Sequence, residues 1–159
     1  MTTLSSELAG GLLGTLALTT MVRAASEMRL TRMDLALLLG TVVTEDRRKA
    51  KAIGYVLHFV FGIIFAFAYG AFFVMIGRST WWLGAMVGLV HSVFNASVLI
   101  NVLLPVVHPL MGTPETAANE VALIEQPGFL MLNYGRSTFV VTLAAHVVYG
   151  AIVGSIVRI

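Results

Sequence analysis

The sequence contains no cysteine, so it offers no disulfide framework, no thiolate nucleophile and no cysteine ligand for a metal or an iron–sulfur cluster. Charged residues are also scarce: they make up 11% of the 159 residues, whereas about a quarter of a soluble domain is charged. Apolar residues reach 58%, and the mean hydropathy is +0.91. This composition argues against a soluble domain and predicts a membrane protein that is surrounded by the lipid bilayer and has the bilayer as its partner.

Sequence motifs of catalysis are missing as well. The chain has no Gly-x-Ser-x-Gly elbow, no glycine-rich phosphate loop followed by lysine, and no His-Glu-x-x-His zinc motif. Of the eight acidic residues, seven lie in the connections between apolar segments, and Glu7 lies near the outer end of the first segment. A carboxylate at mid-membrane depth, the usual proton relay of pumps, is therefore not expected. We predict that the protein is not an enzyme.

Four apolar segments are present, at about 4–22, 53–76, 82–104 and 137–157. At 1.5 Å per residue, a helix of about 20 residues crosses the ~30 Å hydrocarbon layer of a membrane. The first segment lacks the basic start and cleavage site of a signal peptide, so we expect it to remain as a span. We therefore predict an all-α integral membrane four-helix bundle that forms a single domain over residues 1–159.

The ends of the predicted helices carry local signals. Thr44 is expected to cap the second spanning helix, and Gly77 to Thr80 to reverse the chain before the third. The third helix is expected to run to about Leu104, because Pro105 and Pro109 lack the backbone N–H group that a helix needs.

Two apolar stretches are too short to span. Leu35 to Val43 is expected to be an interfacial or re-entrant segment, and Gly128 to Gly135 to lie in the interface or to dip between helices. In the connection before the second stretch, Thr113 followed by Pro114 predicts the start of a short amphipathic helix.

Basic residues are distributed unevenly along the chain. Seven of the ten lie between the first and second spans, and Arg136 is on the same side, whereas Arg78 and Arg158 are opposite. The positive-inside rule then predicts a cell-membrane protein with a cytoplasmic Arg23 to Lys51 loop and both termini outside. Residues expected to anchor the chain at lipid head groups are Arg47, Arg48, Lys49, Lys51, Trp81 and Trp82. Because the basic residues adjoin an apolar segment, we expect no nucleic-acid partner.

Small residues recur at every fourth position on three of the predicted helices, where they allow close helix contact. The expected packing positions are Gly10 and Gly14, then Gly62, Ala66 and Gly70, and finally Gly150 and Gly154. These are more small-residue faces than one four-helix bundle needs, so we expect a spare face to pair subunits in a homo-oligomer.

Three histidines open the same local pattern, His-x-Val-aromatic followed by Gly or Asn: His58, His91 and His146. Neutral imidazole binds haem iron, copper and zinc. Counted along the helices, His58 and His146 lie ~8 and ~12 Å from the cytoplasmic side, and His91 lies ~17 Å from it. His58 and His146, joined by His108 from the helix break, are therefore the predicted metal ligands, and haem or a transition metal is the possible cofactor.

The alternative interpretation is that the histidines form hydrogen bonds between helices. The expected polar cluster is His58, His91, Asn95, His146 and Thr142. On this interpretation the protein is a non-catalytic binding or assembly subunit with histidines packed between helices, and this is the function we expect first. A b-type haem or metal-binding membrane protein is the second possibility, and a small oligomeric channel or carrier is the third.

The layout resembles a group of small multi-pass membrane proteins known only as uncharacterised. The segments that carry the resemblance are MDLALLLG, HFVFGIIFAFAYG, HPLMG and HVVYGAIVG. The resemblance implies four spanning helices and no assigned activity.

Overall fold

The computed structural model describes residues 2–111 and 124–159. Within these residues the structure is helical, and its one β-type contact is a bridge between Met111 and Ile124. Four helices are long and apolar enough to cross a membrane: Leu4–Glu27, Arg47–Ile76, Trp81–Val107 and Thr138–Ile156. The all-helical class and the four long apolar helices predicted from the sequence are therefore confirmed.

Short elements lie between and within the long helices. In chain order the elements are α1 (Leu4–Glu27), α2 (Leu35–Gly40), α3 (Arg47–Ile76), α4 (Trp81–Phe94), a π-helix (Asn95–Leu103), α5 (Leu104–Val107), a 3-10 helix (Phe129–Tyr134) and α6 (Thr138–Ile156). Helix α1 contacts both α3 and α6, α4 contacts α6, and α2 lies on α3. The amphipathic helix predicted to start at Thr113 falls outside the described residues.

The start of α3 differs from the sequence prediction. The carboxylate of Asp46 accepts hydrogen bonds from the backbone nitrogens of Arg48 and Lys49, at 3.0 and 3.2 Å. The predicted cap at Thr44 is wrong by two residues, because a carboxylate next to the first turn satisfies its exposed N–H groups directly.

The connection from α3 to α4 is a tight reversal, as predicted. Gly77 has a φ of 74°, a left-handed conformation that glycine adopts readily at the end of a helix. The hydroxyl of Thr80 then accepts a hydrogen bond from the backbone nitrogen of Leu83 and caps α4. The hydroxyl of Ser79 donates to the carbonyl of Gly154 at 2.8 Å, which ties the reversal to the last turn of α6.

The third long helix changes its winding midway. It is α-helical to Phe94, π-helical from Asn95 to Leu103, and α-helical again to Val107. Pro105 cannot donate to the carbonyl four residues before it, and its ring crowds that carbonyl. The backbone hydrogen bonds of the residues before Pro105 must therefore rearrange. The helix continues through Pro105 to Val107, three residues beyond the predicted end at Leu104, because proline is tolerated in the first turn of α5. It stops before Pro109, where His108 is extended, with a φ of −88° and a ψ of 112°.

The short segment predicted at Leu35 to Val43 contains α2, which packs backbone to backbone on α3. A Cβ atom on Gly40 would lie 1.7 Å from the carbonyl oxygen of Ala50, and one on Gly54 would lie 1.8 Å from that of Ala36. Only glycine fits at such contacts. Neither Gly40 nor Gly54 was identified as a packing residue from the sequence.

The stretch from Gly128 to Gly135 contains the 3-10 helix and folds against the loop after α1. The backbone nitrogen of Arg32 donates to the carbonyl of Tyr134 at 2.8 Å, and the hydroxyls of Thr31 and Thr138 are 2.8 Å apart. The hydroxyl of Tyr134 donates to the carbonyl of Glu125 at 2.7 Å. Burial raises the pKa of Tyr134 to about 12.

Candidate functional site

The principal polar cluster joins three helices. It contains Tyr69 from α3, His91 from α4, Asn95 at the start of the π-helix, and His146 from α6. The structure thus brings together three of the predicted cluster residues, His91, Asn95 and His146, and adds Tyr69, which was not among them.

His146 is buried, and its hydrogen bonds show which of its two ring nitrogens carries the proton. Nδ1 lies 2.8 Å from the carbonyl oxygen of Thr142, which can only accept, so Nδ1 carries the proton. In the neutral ring Nε2 is then an acceptor, and the side-chain nitrogen of Asn95 lies 3.3 Å from it. Thr142 takes part in the cluster through its carbonyl and not through its hydroxyl.

His91 contacts His146 directly. Their ring centroids are 4.8 Å apart and the ring planes are nearly perpendicular, at 83°. Nδ1 of His91 lies 3.2 Å from the hydroxyl of Tyr69, and the ring of Phe65 lies 4.0 Å away between centroids. Counting along the helices placed His91 about 5 Å further from the cytoplasmic side than His146. The close pairing of α4 with α6 still lets the rings meet, because two side chains can bridge a height difference of about one helical turn.

The pairing of α4 with α6 depends on glycines facing backbone. A Cβ on Gly84 would lie 2.0 Å from the carbonyl oxygen of Gly150, and one on Gly88 would lie 2.2 Å from that of His146. A Cβ on Gly154 would lie 2.3 Å from the carbonyl oxygen of Thr80. Gly84 and Gly88 were missed in the sequence analysis, although their spacing of four residues is the same signal that identified Gly150 and Gly154.

Two hydroxyl groups are buried in the contact between α4 and α6, which we call the α4–α6 seam. The register that pairs Gly88 with His146 places Ser92 opposite Thr142, one turn further along both helices. The hydroxyl oxygens of Ser92 and Thr142 have no hydrogen-bond partner among the described residues.

The other predicted packing residues lie against α1. On α3, a Cβ on Gly62 would lie 1.8 Å from the hydroxyl of Thr15, and one on Gly70 would lie 2.1 Å from the carboxylate of Glu7. Ala66 is fully buried and faces Gly11.

On its other side α1 packs against α6. The nearest atoms to Gly10 and Gly14 belong to Val153 and Tyr149, at 3.5 and 2.8 Å from an added Cβ. All three predicted small-residue faces are thus used within one chain. Homo-oligomerisation stays a prediction, but it can no longer be argued from a spare face among them.

Tyr149, which the sequence analysis did not single out, forms a hydrogen bond between helices. Its hydroxyl donates to the carbonyl oxygen of Gly62 at 2.5 Å, and its side chain is buried. The ring stands edge-on to Tyr69 with centroids 5.6 Å apart. Its position one turn after His146 was the available signal, since both side chains then lie on the same face of α6.

His108 belongs to a separate contact. Nδ1 accepts from the backbone nitrogen of Leu110 at 3.2 Å, so Nε2 is the protonated nitrogen, 3.1 Å from the carbonyl of Leu38. The hydroxyl of Thr41 is also 3.1 Å from Nε2. His108 thereby connects the end of the third long helix to α2, and burial lowers its pKa.

The structure does not assemble the predicted metal ligands His58, His146 and His108. Among residues 2–111 and 124–159, no three His, Cys, Asp or Glu side chains lie where they could hold a metal ion. Counting residues along helices gives the height of a residue in the membrane but not its lateral position. Laterally, His108 contacts α2, whereas His146 contacts His91.

The predicted head-group anchors lie at opposite ends of the long helices. The side chains of Arg47, Arg48, Lys49 and Lys51 are exposed at the start of α3, and Lys51 pairs with Asp34 at 2.7 Å. At the start of α4, Trp81 and Trp82 are 64% and 38% exposed, and the guanidinium of Arg78 lies 5.0 Å from the Trp82 ring centroid. These exposures suit residues that contact lipid, and the anchoring role stays a prediction.

No protein-family model, curated protein or solved structure matches this chain. The resemblance to uncharacterised membrane proteins therefore adds no function to it.

Proposed function

We propose that the protein is a small integral membrane subunit with a binding or assembly role and no catalytic step of its own, in which His91 and His146 hold helices together. The observation that supports this most strongly is the hydrogen bonding of His146. Both of its ring nitrogens are committed, to a carbonyl on its own helix and to Asn95 on the neighbouring helix. A ring used in this way stabilises the contact between α4 and α6.

A transition-metal protein is the second candidate, favoured by the contact between the His91 and His146 rings. A metal ion would have to displace the Asn95 hydrogen bond to reach Nε2 of His146. Haem ligated by both histidines fits less well than a bare ion, because its flat macrocycle would lie between the two imidazoles. Here the rings touch, and the backbones of α4 and α6 are in contact at Gly84 and Gly150.

The test uses protein purified from membranes in a mild detergent. We expect a colourless, metal-free protein, and we expect His146→Leu to lower its thermal midpoint while Val140→Ala, at an exposed position of α6, leaves it unchanged. A Soret band, or stoichiometric metal that disappears in His146→Leu, would replace this proposal with the second candidate. Ion flux into liposomes carrying the protein would instead favour a channel or carrier.

A further inference from the structure

A cavity of about 50 Å³ lies between α1, the start of α2 and α3, with His58 in its wall. Six of its ten lining residues carry polar side chains: Thr19, Arg23, Ser26, Asp34, Tyr55 and His58. The three from α1 are four and three residues apart and share one helical face, and the two from α3 are one turn apart. Polar groups therefore converge on the cavity from two helices.

His58 differs from the other three histidines. His91, His108 and His146 each have a ring nitrogen in a hydrogen bond with another part of the chain. Nε2 of His58 is buried and has no hydrogen-bond partner in the described part of the chain. Buried polar groups are nearly always paired in native proteins, and this nitrogen can meet a ligand in the cavity once the imidazole ring turns toward it.

The carboxylates near the cavity are already matched by cations. Asp34 accepts from the backbone nitrogen of Leu37 at 3.0 Å and pairs with Lys51 at 2.7 Å. Glu27 pairs with Nε of Arg23 at 2.8 Å and does not use the two terminal guanidinium nitrogens, which have the Tyr55 hydroxyl as a neighbour. The segment from Arg23 to Lys51 carries seven basic residues against four acidic ones, so the surroundings favour an anion.

We propose that this cavity binds a phosphate group. Guanidinium and imidazole N–H groups are strong donors to phosphate oxygens, and Ser26 supplies a hydroxyl on the same side as Arg23. Donors that approach from two helices match a tetrahedral anion better than a planar carboxylate. The cavity volume of about 50 Å³ corresponds to roughly four water-sized probes, enough for one phosphate group but not for a nucleotide.

The phosphate group has two possible sources, inorganic phosphate and the head group of a lipid. Both can be tested on the full chain in a maltoside detergent, which carries no phosphate. In one arm inorganic phosphate is titrated, and in the other a short-chain phosphatidic acid is titrated, each followed by calorimetry and by the thermal midpoint. Binding in the first arm identifies the free anion, and binding in the second arm alone identifies a lipid; either result supports the site.

Two substitutions in the cavity and one outside it separate the site from general charge attraction. We expect Arg23→Gln and His58→Gln each to weaken phosphate binding about tenfold or more, the effect of losing a charge-assisted hydrogen bond. Arg29→Gln removes the same charge from an exposed residue outside the cavity and should leave binding within about twofold.

The proposal is overturned if the wild-type chain binds in neither arm, or if Arg29→Gln weakens binding as much as Arg23→Gln. If Arg23→Gln does not fold, His58→Gln decides the matter, because its Nε2 has no partner to lose among the described residues. A His58→Gln variant that folds and binds phosphate like wild type would also overturn it.

Discussion

Gly84 and Gly150 bring the backbones of α4 and α6 into direct contact: a Cβ atom on either glycine would lie 2.0–2.1 Å from the carbonyl oxygen of the other. Real Cβ atoms do not approach so closely, so any side chain at these positions must separate the helices. The contact also sets the distance at which His91 and His146 meet, one to two turns away on the same two helices.

The first prediction concerns the contact between α4 and α6 at Gly84, in the α4–α6 seam. Gly84→Ala should destabilise the protein by about 2–3 kcal/mol, because the methyl group meets rigid backbone that cannot move aside. The measurement is denaturation in mixed micelles followed by circular dichroism. Ala71→Leu, which adds more volume at an exposed position of α3, is the control and should change stability by less than about 0.5 kcal/mol. Equal effects of the two substitutions would show that the seam is not a rigid contact.

The second prediction concerns the hydrogen bond between His146 and Asn95, which are 3.3 Å apart. His146→Leu should cost about 1–3 kcal/mol, since it leaves the Asn95 amide and the Thr142 carbonyl without their partner. Once His146 is gone, Asn95→Leu should cost less than it does in the wild-type chain. A double-mutant cycle measures this difference, and strictly additive effects would mean that the two side chains do not interact.

The third prediction concerns the hydroxyl of Tyr149. Tyr149→Phe keeps the buried ring but removes the donor to the carbonyl of Gly62, so we expect a loss of about 1 kcal/mol. Tyr55→Phe removes a hydroxyl from an exposed residue of the same type and should be close to neutral. Unfolding midpoints of the two variants, compared with wild type, test the bond. A neutral Tyr149→Phe would mean that packing alone holds this ring.

The fourth prediction is a pH dependence that arises from His108. Burial lowers its pKa below the usual 6.5, so the unfolded chain binds this proton more readily than the folded one. Its contribution to stability is therefore complete above about pH 6.5 and is lost as the pH falls below that value. His108→Gln removes the titrating group. We expect the thermal midpoint of the wild type to fall more steeply than that of His108→Gln between pH 7.5 and 5, and parallel curves would contradict the prediction.

The fifth prediction concerns orientation in the membrane. Because the chain has no cysteine, Lys49→Cys introduces a unique thiol on the basic side, and Ile159→Cys places one at the opposite end. With the Arg23 to Lys51 loop in the cytoplasm, a membrane-impermeant maleimide should label intact cells carrying Ile159→Cys but not those carrying Lys49→Cys. Lysed cells should be labelled in both cases. Ready labelling of Lys49→Cys in intact cells would reverse the proposed orientation.

The small-residue pattern illustrates how far periodicity reaches. It identified Gly10, Gly14, Gly62, Ala66 and Gly70 as contact positions, and in the structure all five face another helix. It did not say which helix, so faces that serve the fold were interpreted as spare faces for a second subunit. Spacing along one helix specifies a direction but contains no information about the partner.

The histidines show the same division. Their heights along the helices could be counted, and this put His58 beside His146 as a pair. In the structure the ring of His91 contacts the ring of His146, and His58 lines a cavity near the basic segment. The π-helix from Asn95 to Leu103 was not predicted either. Pro105 indicated a disturbance of the helix but not the hydrogen-bonding pattern of the residues before it.

The sequence by itself determined the helical class, the four long apolar helices and the reversal at Gly77, because hydropathy, helix length and capping are properties of neighbouring residues. Only the tertiary structure decided that α1 packs between α3 and α6, that His91 meets His146, that Tyr149 donates to Gly62, and that Nε2 of His58 has no partner among residues 2–111 and 124–159. These depend on which helices become neighbours, and that choice is made by the packing of the whole chain at once.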